Sequence, residues 1–279
     1  MIISIASGKG GTGKTTVAVN LALSINNAQI LDCDVEEPNS HIFIKPDMNG
    51  KTSISIPVPE IDKQLCDHCG RCQEVCEYNA VAVLKDVVLV FPELCHGCGA
   101  CSSLCPKSAI KEVNRAIGVV ETGVKNDLQF CHGRLNIGEA MSPPLIRGVK
   151  KYLNPSRTVI IDSPPGTSCP VIASIKGSDF CVLVTEPTPF GLNDLILAVE
   201  VLRKLKIPFG VLINRSDLGN EETERYCNRE NIQILMRIPF KKEIASLYSR
   251  GIPLVEEFLE YKERFDKMHE SIRAIVKRS

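Results

Sequence analysis

Residues 2–24 read IISIASGKGGTGKTTVAVNLALS and indicate the fold of the chain. A short run rich in β-branched residues passes directly into a glycine-rich loop, and the loop passes into a good helical sequence. The loop from Gly8 to Thr15 fits the pattern G-x-x-x-x-G-K-S/T without a mismatch, in the strand, loop and helix context that this phosphate-binding pattern requires. We therefore predict a P-loop within an α/β fold.

Each position of the loop has a predicted task at a nucleoside triphosphate. Glycines let successive backbone N–H groups converge on phosphate oxygens, and the helix that follows adds its positive dipole end. The Lys14 ammonium is expected to reach the β- and γ-phosphates, and the Thr15 hydroxyl to complete the shell of a Mg²⁺ ion. The predicted nucleotide-binding residues of the loop are Gly8, Gly10, Gly11, Thr12, Gly13, Lys14, Thr15 and Thr16.

Further along the chain, continuous apolar runs alternate with helical patterns. The runs, typical of parallel strands buried on both faces, lie at residues 30–34, 158–162, 181–185 and 209–214. Strands that alternate with helices imply right-handed crossovers, and hence a doubly wound, mostly parallel sheet with its ligand site at the carboxyl ends of the strands. Asp162 ends one such strand, and we expect it to hold Mg²⁺ through water.

From about residue 59 to 112 the pattern changes to prolines, acidic residues and closely spaced cysteines. We interpret residues 59–112 as an inserted domain, which divides the α/β domain into residues 1–58 and 113–279. The spacing C-x-x-C-x-x-C-x-x-x-C occurs twice in it. Three thiolates at intervals of three residues wrap one face of a 4Fe–4S cubane, and the fourth serves the other cluster. The predicted ligands are Cys66, Cys69, Cys72 and Cys105 for cluster one, and Cys95, Cys98, Cys101 and Cys76 for cluster two.

Two other interpretations of the cysteines remain. Zinc ribbons usually join two C-x-x-C pairs across a longer gap, so the interlocked spacing favours iron–sulfur clusters over a pair of zinc sites, and disulfides are scarce in the cytosol. Outside the repeat, Cys131 and His132 either approach a dimer interface or a transferred cluster, or form an ordinary loop or core pair. We favour the ordinary pair.

Charge and hydropathy narrow the class of protein. Lys plus Arg and Asp plus Glu are 33 each, and 44% of residues are hydrophobic, which is typical of a folded chain and argues against a general nucleic-acid binder. No signal peptide or membrane-spanning run is visible, so we expect a cytoplasmic protein. The mixed charges near the C-terminal end predict packing against the sheet and not against a membrane.

Lys9 points to one class of P-loop proteins. The sequence KGGTGKTT at residues 9–16 resembles the deviant Walker A loop of the MinD, ParA, Mrp and nitrogenase iron-protein class. The resemblance implies an ATPase that forms an ATP-dependent homodimer in which Lys9 crosses to the partner's nucleotide. It also implies that Asp34 orients the attacking water. The later positions that the resemblance assigns are a second switch at residues 164–167 and contacts of Asn214 and Arg215 with adenine.

The cysteine block resembles a bacterial two-cluster ferredoxin, although Glu77 stands where the first motif usually has proline. The whole chain thus resembles a MinD/Mrp-type P-loop ATPase with an inserted two-cluster ferredoxin domain. That resemblance implies an ATP-gated electron-transfer protein with a redox partner. It leaves open an iron–sulfur scaffold or carrier with a client protein, and a nucleotide-switched interaction module with structural clusters. The absence of a C-x-x-C pair outside residues 66–105 counts against the carrier.

Overall fold

The structure is a computed structural model that describes residues 1–277. Its strands are β1 Ile2–Ala6, β2 Ala28–Asp32, β3 Asp47–Ile61, β4 Val81–Leu84, β5 Val87–Val90, β6 Ile110–Lys125, β7 Leu128–Leu135, β8 Thr158–Asp162, β9 Phe180–Thr185, β10 Phe209–Asn214 and β11 Ile234–Ile238. Its helices are α1 Lys14–Ser24, α2 Ser40–Ile44, α3 Arg71–Glu74, α4 Ala100–Ser103, α5 Pro143–Lys150, α6 Cys169–Ile175, α7 Pro189–Leu205, α8 Glu222–Arg229, α9 Lys242–Ser249, α10 Leu254–Glu257 and α11 Leu259–Val276.

A nine-stranded sheet of the described residues has the order β11-β10-β9-β1-β8-β2-β7-β6-β3. From β11 to β7 every neighbouring pair is parallel, while β6 and β3 add antiparallel pairs at one edge. The α/β class with a mostly parallel sheet, predicted from the sequence, is confirmed.

Helices cover both faces of this sheet because its central strands are apolar on both sides. All six residues of β9, for example, are buried. One face packs against α1 and α11, and α11 contributes Tyr261, Phe265, Met268 and Ile272 to the core. This is the packing predicted for the C-terminal stretch. Within residues 1–277, the structure contains no helix with the length and apolarity to span a bilayer.

The long strands β3 and β6 form a two-stranded ribbon that pairs from Asp47 with Val124 to Ile61 with Ile110, with register shifts at residues 48–50 and 54–55 of β3. Strand β7 pairs with β6 only from residue 118 to 125, so the remainder of the ribbon extends beyond the sheet and carries residues 62–109 at its end. The boundaries expected at residues 58/59 and 112/113 therefore fall inside continuous strands. The ribbon is held to the core by buried apolar side chains, Ile56, Val58 and Ile117.

The two cysteine runs within residues 62–109 are similar in local structure as well as in sequence. Helices α3 and α4 each start after a glycine with a left-handed backbone, Gly70 at φ 83° and Gly99 at φ 72°. The segment between the two cysteine runs forms the hairpin β4–β5. The rings of Tyr78 and His96 stack at a centroid distance of 3.3 Å and join the two halves.

Candidate functional site

The loop between β1 and α1 has the backbone that a phosphate cradle needs. Gly13 has φ 93°, a conformation that residues with a Cβ rarely adopt, and a Cβ there would lie 2.5 Å from the Asn214 amide nitrogen. A Cβ at Gly8 would collide with the backbone oxygen of Asp194 in α7. Glycine is therefore required at both positions, by conformation at one and by close packing at the other.

A cavity of about 460 Å³ opens at this loop. The residues predicted at the nucleotide that line it are Gly10, Gly11, Gly13, Lys14, Thr15, Thr16, Asp34, Asn214 and Arg215. Four other predicted residues, Gly8, Lys9, Thr12 and Asp162, do not line it. The cavity continues into an apolar end that the sequence analysis did not identify, formed by Phe43, Ile238, Phe240, Ile244, Tyr248 and Leu254.

Lys14, Asp34 and Asp162 form a partly desolvated charge cluster at the start of α1. Burial raises the pKa of Asp34 to about 7 and that of Asp162 to about 6, although the nearby Lys14 ammonium opposes both shifts. Burial also lowers the pKa of Lys14, against the pull of the two carboxyl groups. Two acids beside one buried cation are an arrangement that an added cation would stabilise.

Asp162 meets the requirements of the predicted magnesium position. Its Oδ1 is buried without a hydrogen-bond partner, whereas the Ser40 hydroxyl donates to its Oδ2 at 3.3 Å. The Thr15 hydroxyl also faces this carboxyl group and lowers its pKa. A buried carboxylate oxygen with a free lone pair, next to a hydroxyl, fits a hard divalent cation. Thr15 and Asp162 are thus the residues that would hold Mg²⁺.

Asp32 organises the segment that follows β2. Its carboxyl oxygens accept hydrogen bonds from the backbone N–H groups of Asp34 at 3.1 Å, Asn39 at 3.1 Å and Ser40 at 3.0 Å. Sequence analysis gave a role to Asp34 alone. The structure adds Asp32 as the residue that fixes the loop carrying Asp34 beside the phosphate cradle.

Lys9 and Arg215 share a carboxylate that sequence analysis missed. The Lys9 ammonium lies 3.8 Å from Glu186, whose other oxygen accepts a hydrogen bond from the Arg215 guanidinium at 2.7 Å. The Asn214 amide nitrogen donates to the Thr12 carbonyl at 2.8 Å. Asn214 therefore braces the phosphate loop from β10, in addition to lining the cavity.

Two smaller cavities lie in residues 62–109 and its ribbon, and each is lined by four cysteines. We name the four at the ribbon's end the distal set and the four nearer the sheet the proximal set. The distal set is Cys66, Cys69, Cys72 and Cys105. The proximal set is Cys76, Cys95, Cys98 and Cys101. The structure thus brings together the same fours that the spacing assigned to cluster one and cluster two.

Backbone amides point at the sulfur atoms of both sets. Ala109 donates to Cys105 at 3.3 Å, Ala80 to Cys76 at 3.3 Å and Gly97 to Cys95 at 3.4 Å. Among residues 1–277, no three His, Cys, Asp or Glu side chains converge closely enough to hold a single metal ion. Four thiols around a cavity, with amides donating to sulfur, form a donor set that fits a cubane cluster.

Cys131 and His132 lie in β7 and are buried, so they are a core pair in a strand and not part of a loop. Burial raises the pKa of Cys131 to about 12, which makes its thiol a poor nucleophile at neutral pH. The His132 ring approaches Glu121 at 3.1 Å and packs edge-on against His41. In the part of the chain that the structure describes, neither residue lines the cavity of a cysteine set.

Comparison with known proteins identifies the nucleotide-binding part. Residues 3–254 match the family model described as the CobQ/CobB/MinD/ParA nucleotide binding domain. An uncharacterized protein of Methanocaldococcus jannaschii is 30% identical over 282 residues, which cover 99% of this chain and 98% of its own. An iron–sulfur cluster carrier protein of Pyrococcus horikoshii is 23% identical and is matched over 91% of this chain and 78% of its own.

A similar fold is seen in the septum site-determining protein MinD of Pyrococcus horikoshii, solved in complex with Mg-ADP. The TM-score is 0.59 at 21% identity, and the match covers 97% of this chain and 95% of that one. At this identity the likeness establishes the fold, a MinD-like P-loop arrangement.

Proposed function

The chain belongs to the CobQ/CobB/MinD/ParA nucleotide-binding family, and on that premise we propose that it hydrolyses ATP to govern electron transfer through two 4Fe–4S clusters. The observation that carries this proposal is the position of the two cysteine sets. Both lie on a ribbon whose strands continue into the same sheet as the P-loop strand β1. A change at the nucleotide therefore acts on the clusters through one continuous sheet.

The proposed hydrolytic site assigns one task to each residue. The loop amides and Lys14 bind the phosphates, and Thr15 and Asp162 hold Mg²⁺, which when bound neutralises phosphate charge. Asp34, with its pKa raised by burial to about 7, orients the attacking water and accepts the proton of that water near neutral pH. Lys9 reaches the nucleotide of a second copy, so hydrolysis requires an ATP-dependent homodimer.

The cysteine sets supply the proposed redox function. Each set provides four thiolates, and the amides that donate to sulfur stabilise negative charge on the cluster. Cys69 of the distal set and Cys98 of the proximal set are exposed, so a partner protein has access to both. Electrons would enter or leave by docking of a redox partner on residues 62–109.

A second candidate function is the delivery of a cluster to a client protein. It is favoured by the iron–sulfur cluster carrier proteins among the relatives, which are 22–24% identical over 91% of this chain. It differs from electron transfer in one measurable way, since a carrier loses its cluster to an acceptor whereas an electron-transfer protein keeps it through reduction and oxidation.

The two candidates and the zinc alternative are tested on anaerobically purified full chain. Iron, sulfide and zinc are quantified, ATP turnover is measured, and the protein is mixed with an apo-ferredoxin while both spectra are followed. We expect about eight irons per chain, reversible reduction and no transfer. Zinc in place of iron, or no ATP turnover, would contradict the proposal, and transfer of the cluster would establish the carrier.

A further inference from the structure

The two cysteine sets differ in their distance from the nucleotide-binding domain. The cavity of the proximal set is bounded by Pro57 of the ribbon, whereas that of the distal set is bounded by Ile61 at its tip. Four strand residues separate these positions, or roughly 13 Å along the ribbon. Cys95 of the proximal set also packs against the buried core that includes Ile56 and Ile117. Among residues 1–277, Cys95 is the one cysteine of the two sets that packs against a core cluster of the main domain.

The proximal set has a half-buried cation beside it. Arg115 lies on β6, its side chain is 21% exposed, and its guanidinium forms two hydrogen bonds with Glu139, of 2.5 Å and 3.0 Å. Its Nε is buried without a partner. Arg115 is the cross-strand partner of Ile56, and Cys95 packs against the buried cluster that contains Ile56. Directly opposed residues of an antiparallel pair lie on the same face, so Arg115 lies on the face of the ribbon that carries Cys95.

The cations that line the cavity of the distal set, Arg71 and Lys107, are both exposed, unlike Arg115. The nearest ion pair in its cavity wall joins Lys107 to Asp67 at 3.9 Å, and these side chains are 55% and 44% exposed. Solvent and salt screen such a pair, whereas charges in a partly buried site interact more strongly. The two clusters would therefore experience different electrostatic environments.

Glu139 connects this cation to the loop that carries Asp34. Glu139 lies in the turn after β7, where its N–H donates to the Asn136 carbonyl at 3.1 Å. Leu135, one residue before Asn136, donates its N–H to the carbonyl of Val35 at 2.9 Å. Val35 directly follows Asp34. Two backbone hydrogen bonds therefore connect the Asp34 loop with Glu139, whose carboxylate holds Arg115.

From these contacts we infer that Arg115 sets the reduction potential of the proximal cluster and that Glu139 makes this potential respond to nucleotide. The inference rests on the proposed function. Reduction adds negative charge to a cluster, so a guanidinium in a region of low dielectric stabilises the reduced form and raises the potential. Glu139 cancels part of that charge. Movement of the Asp34 loop changes the cancellation at the proximal cluster and leaves the distal cluster unaffected.

The test is a redox titration of the full-length holoprotein, followed by EPR spectroscopy. Cys98→Ser and Cys69→Ser identify which signal belongs to the proximal and which to the distal cluster. We expect Arg115→Gln to lower the proximal potential alone and Glu139→Gln to raise it. Lys107→Gln, the matched control at the distal set, should move neither potential measurably. Addition of Mg-ATP should shift the proximal potential in the wild type and shift it less in Glu139→Gln.

Iron content distinguishes failure of the proposed function from failure of this inference alone. A wild-type protein without clusters would overturn the proposed function and this inference together. Clusters at full occupancy, with both potentials unchanged or shifted equally in Glu139→Gln, would overturn the inference alone. If Arg115→Gln does not fold, Arg115→Lys keeps the charge but loses the paired hydrogen bonds. Its proximal potential should stay near the wild-type value, and the shift on addition of Mg-ATP should be smaller.

Discussion

The Lys9 ammonium lies 3.8 Å from Oε2 of Glu186, the same carboxylate that accepts a hydrogen bond from Arg215. In the single chain, therefore, the lysine that the proposed dimer would use is held by its own subunit. It must leave Glu186 before it can reach a partner's nucleotide, so the ion pair favours the monomer.

Removing this carboxylate charge should favour the dimer. A pair of this length with a partly exposed lysine contributes about 1 kcal/mol or less. Each of the two subunits must break one such pair, so Glu186→Gln is expected to strengthen Mg-ATP-dependent dimerisation by up to about thirtyfold. Analytical ultracentrifugation with and without Mg-ATP measures this. Glu200→Gln, a change of an exposed carboxylate on α7, serves as the control. Weaker dimerisation in Glu186→Gln would show that Glu186 supports the assembled state instead.

Substitutions of the two lysines of the loop should have different effects on nucleotide binding and turnover. Lys14 lines the nucleotide cavity and Lys9 does not. Lys14→Ala is therefore expected to lose nucleotide binding. Lys9→Ala should keep binding while turnover falls by a factor on the order of 10²–10³, as for loss of one group that stabilises transition-state charge. Nucleotide affinity and steady-state ATPase assays distinguish them, and full turnover in Lys9→Ala would remove its catalytic role.

The Asp34 carboxylate should destabilise the nucleotide-free protein at neutral and higher pH. Its folded-state pKa of about 7 lies above the unfolded value, so the folded state binds more protons between about pH 4 and 7, and stability falls as pH rises through that window. Asp34→Asn is expected to be more stable than the wild type by about 1–3 kcal/mol at pH 8 and by less at pH 5.5.

Urea unfolding of nucleotide-free protein at the two pH values measures the difference. Glu200→Gln, a change of an exposed carboxylate on α7, serves as the control. If Asp34→Asn is more stable than the wild type by the same amount at both pH values, burial does not oppose the ionisation of Asp34.

Asn214 offers a test of base recognition. Because its amide braces the Thr12 carbonyl at 2.8 Å, Asn214→Ala should loosen the phosphate loop at a cost of about 1 kcal/mol. Affinity for ATP and for GTP should then fall by similar factors in calorimetric titrations. A selective loss of ATP affinity would show that Asn214 reads the adenine base, as the family resemblance implies.

Removal of the clusters should unfold residues 62–109 and spare the main domain. This segment has only short helices and one hairpin, and most of its cysteines are partly exposed, so metal binding would supply most of its stability. After chelation, hydrogen exchange is expected to rise within residues 62–109 while α1 and β1 stay protected. Protection that persists throughout the segment would mean that it folds without metal.

Sequence reasoning found the elements whose signal is local. The P-loop motif, the apolar strands and the cysteine spacing each depend on residues close together in the chain, so α1, β8 and β10 appear where the pattern placed them. The ribbon was missed because β3 contains Pro57 and Pro59, which argue against a strand, and because its first half, residues 47–53, is exposed and mostly polar.

Contacts between distant segments left no local pattern. Glu186 and Lys9 are far apart in sequence, as are Asn214 and Thr12, and the packing of whole helices and strands brings each pair together. Cys131 and His132 were assigned no strand because a short run with a histidine and a glycine lacks the apolar continuity of its neighbours. They are buried because β7 lies between β2 and β6 and pairs with both strands.

The most direct test of the central claim is the pair of cluster potentials in anaerobic wild-type protein, with and without Mg-ATP. Metal analysis of the same sample accompanies the titration. We expect two iron–sulfur signals per chain, one of which changes its midpoint potential when Mg-ATP is added. Zinc-loaded protein, or two potentials that do not respond to the nucleotide, would contradict it.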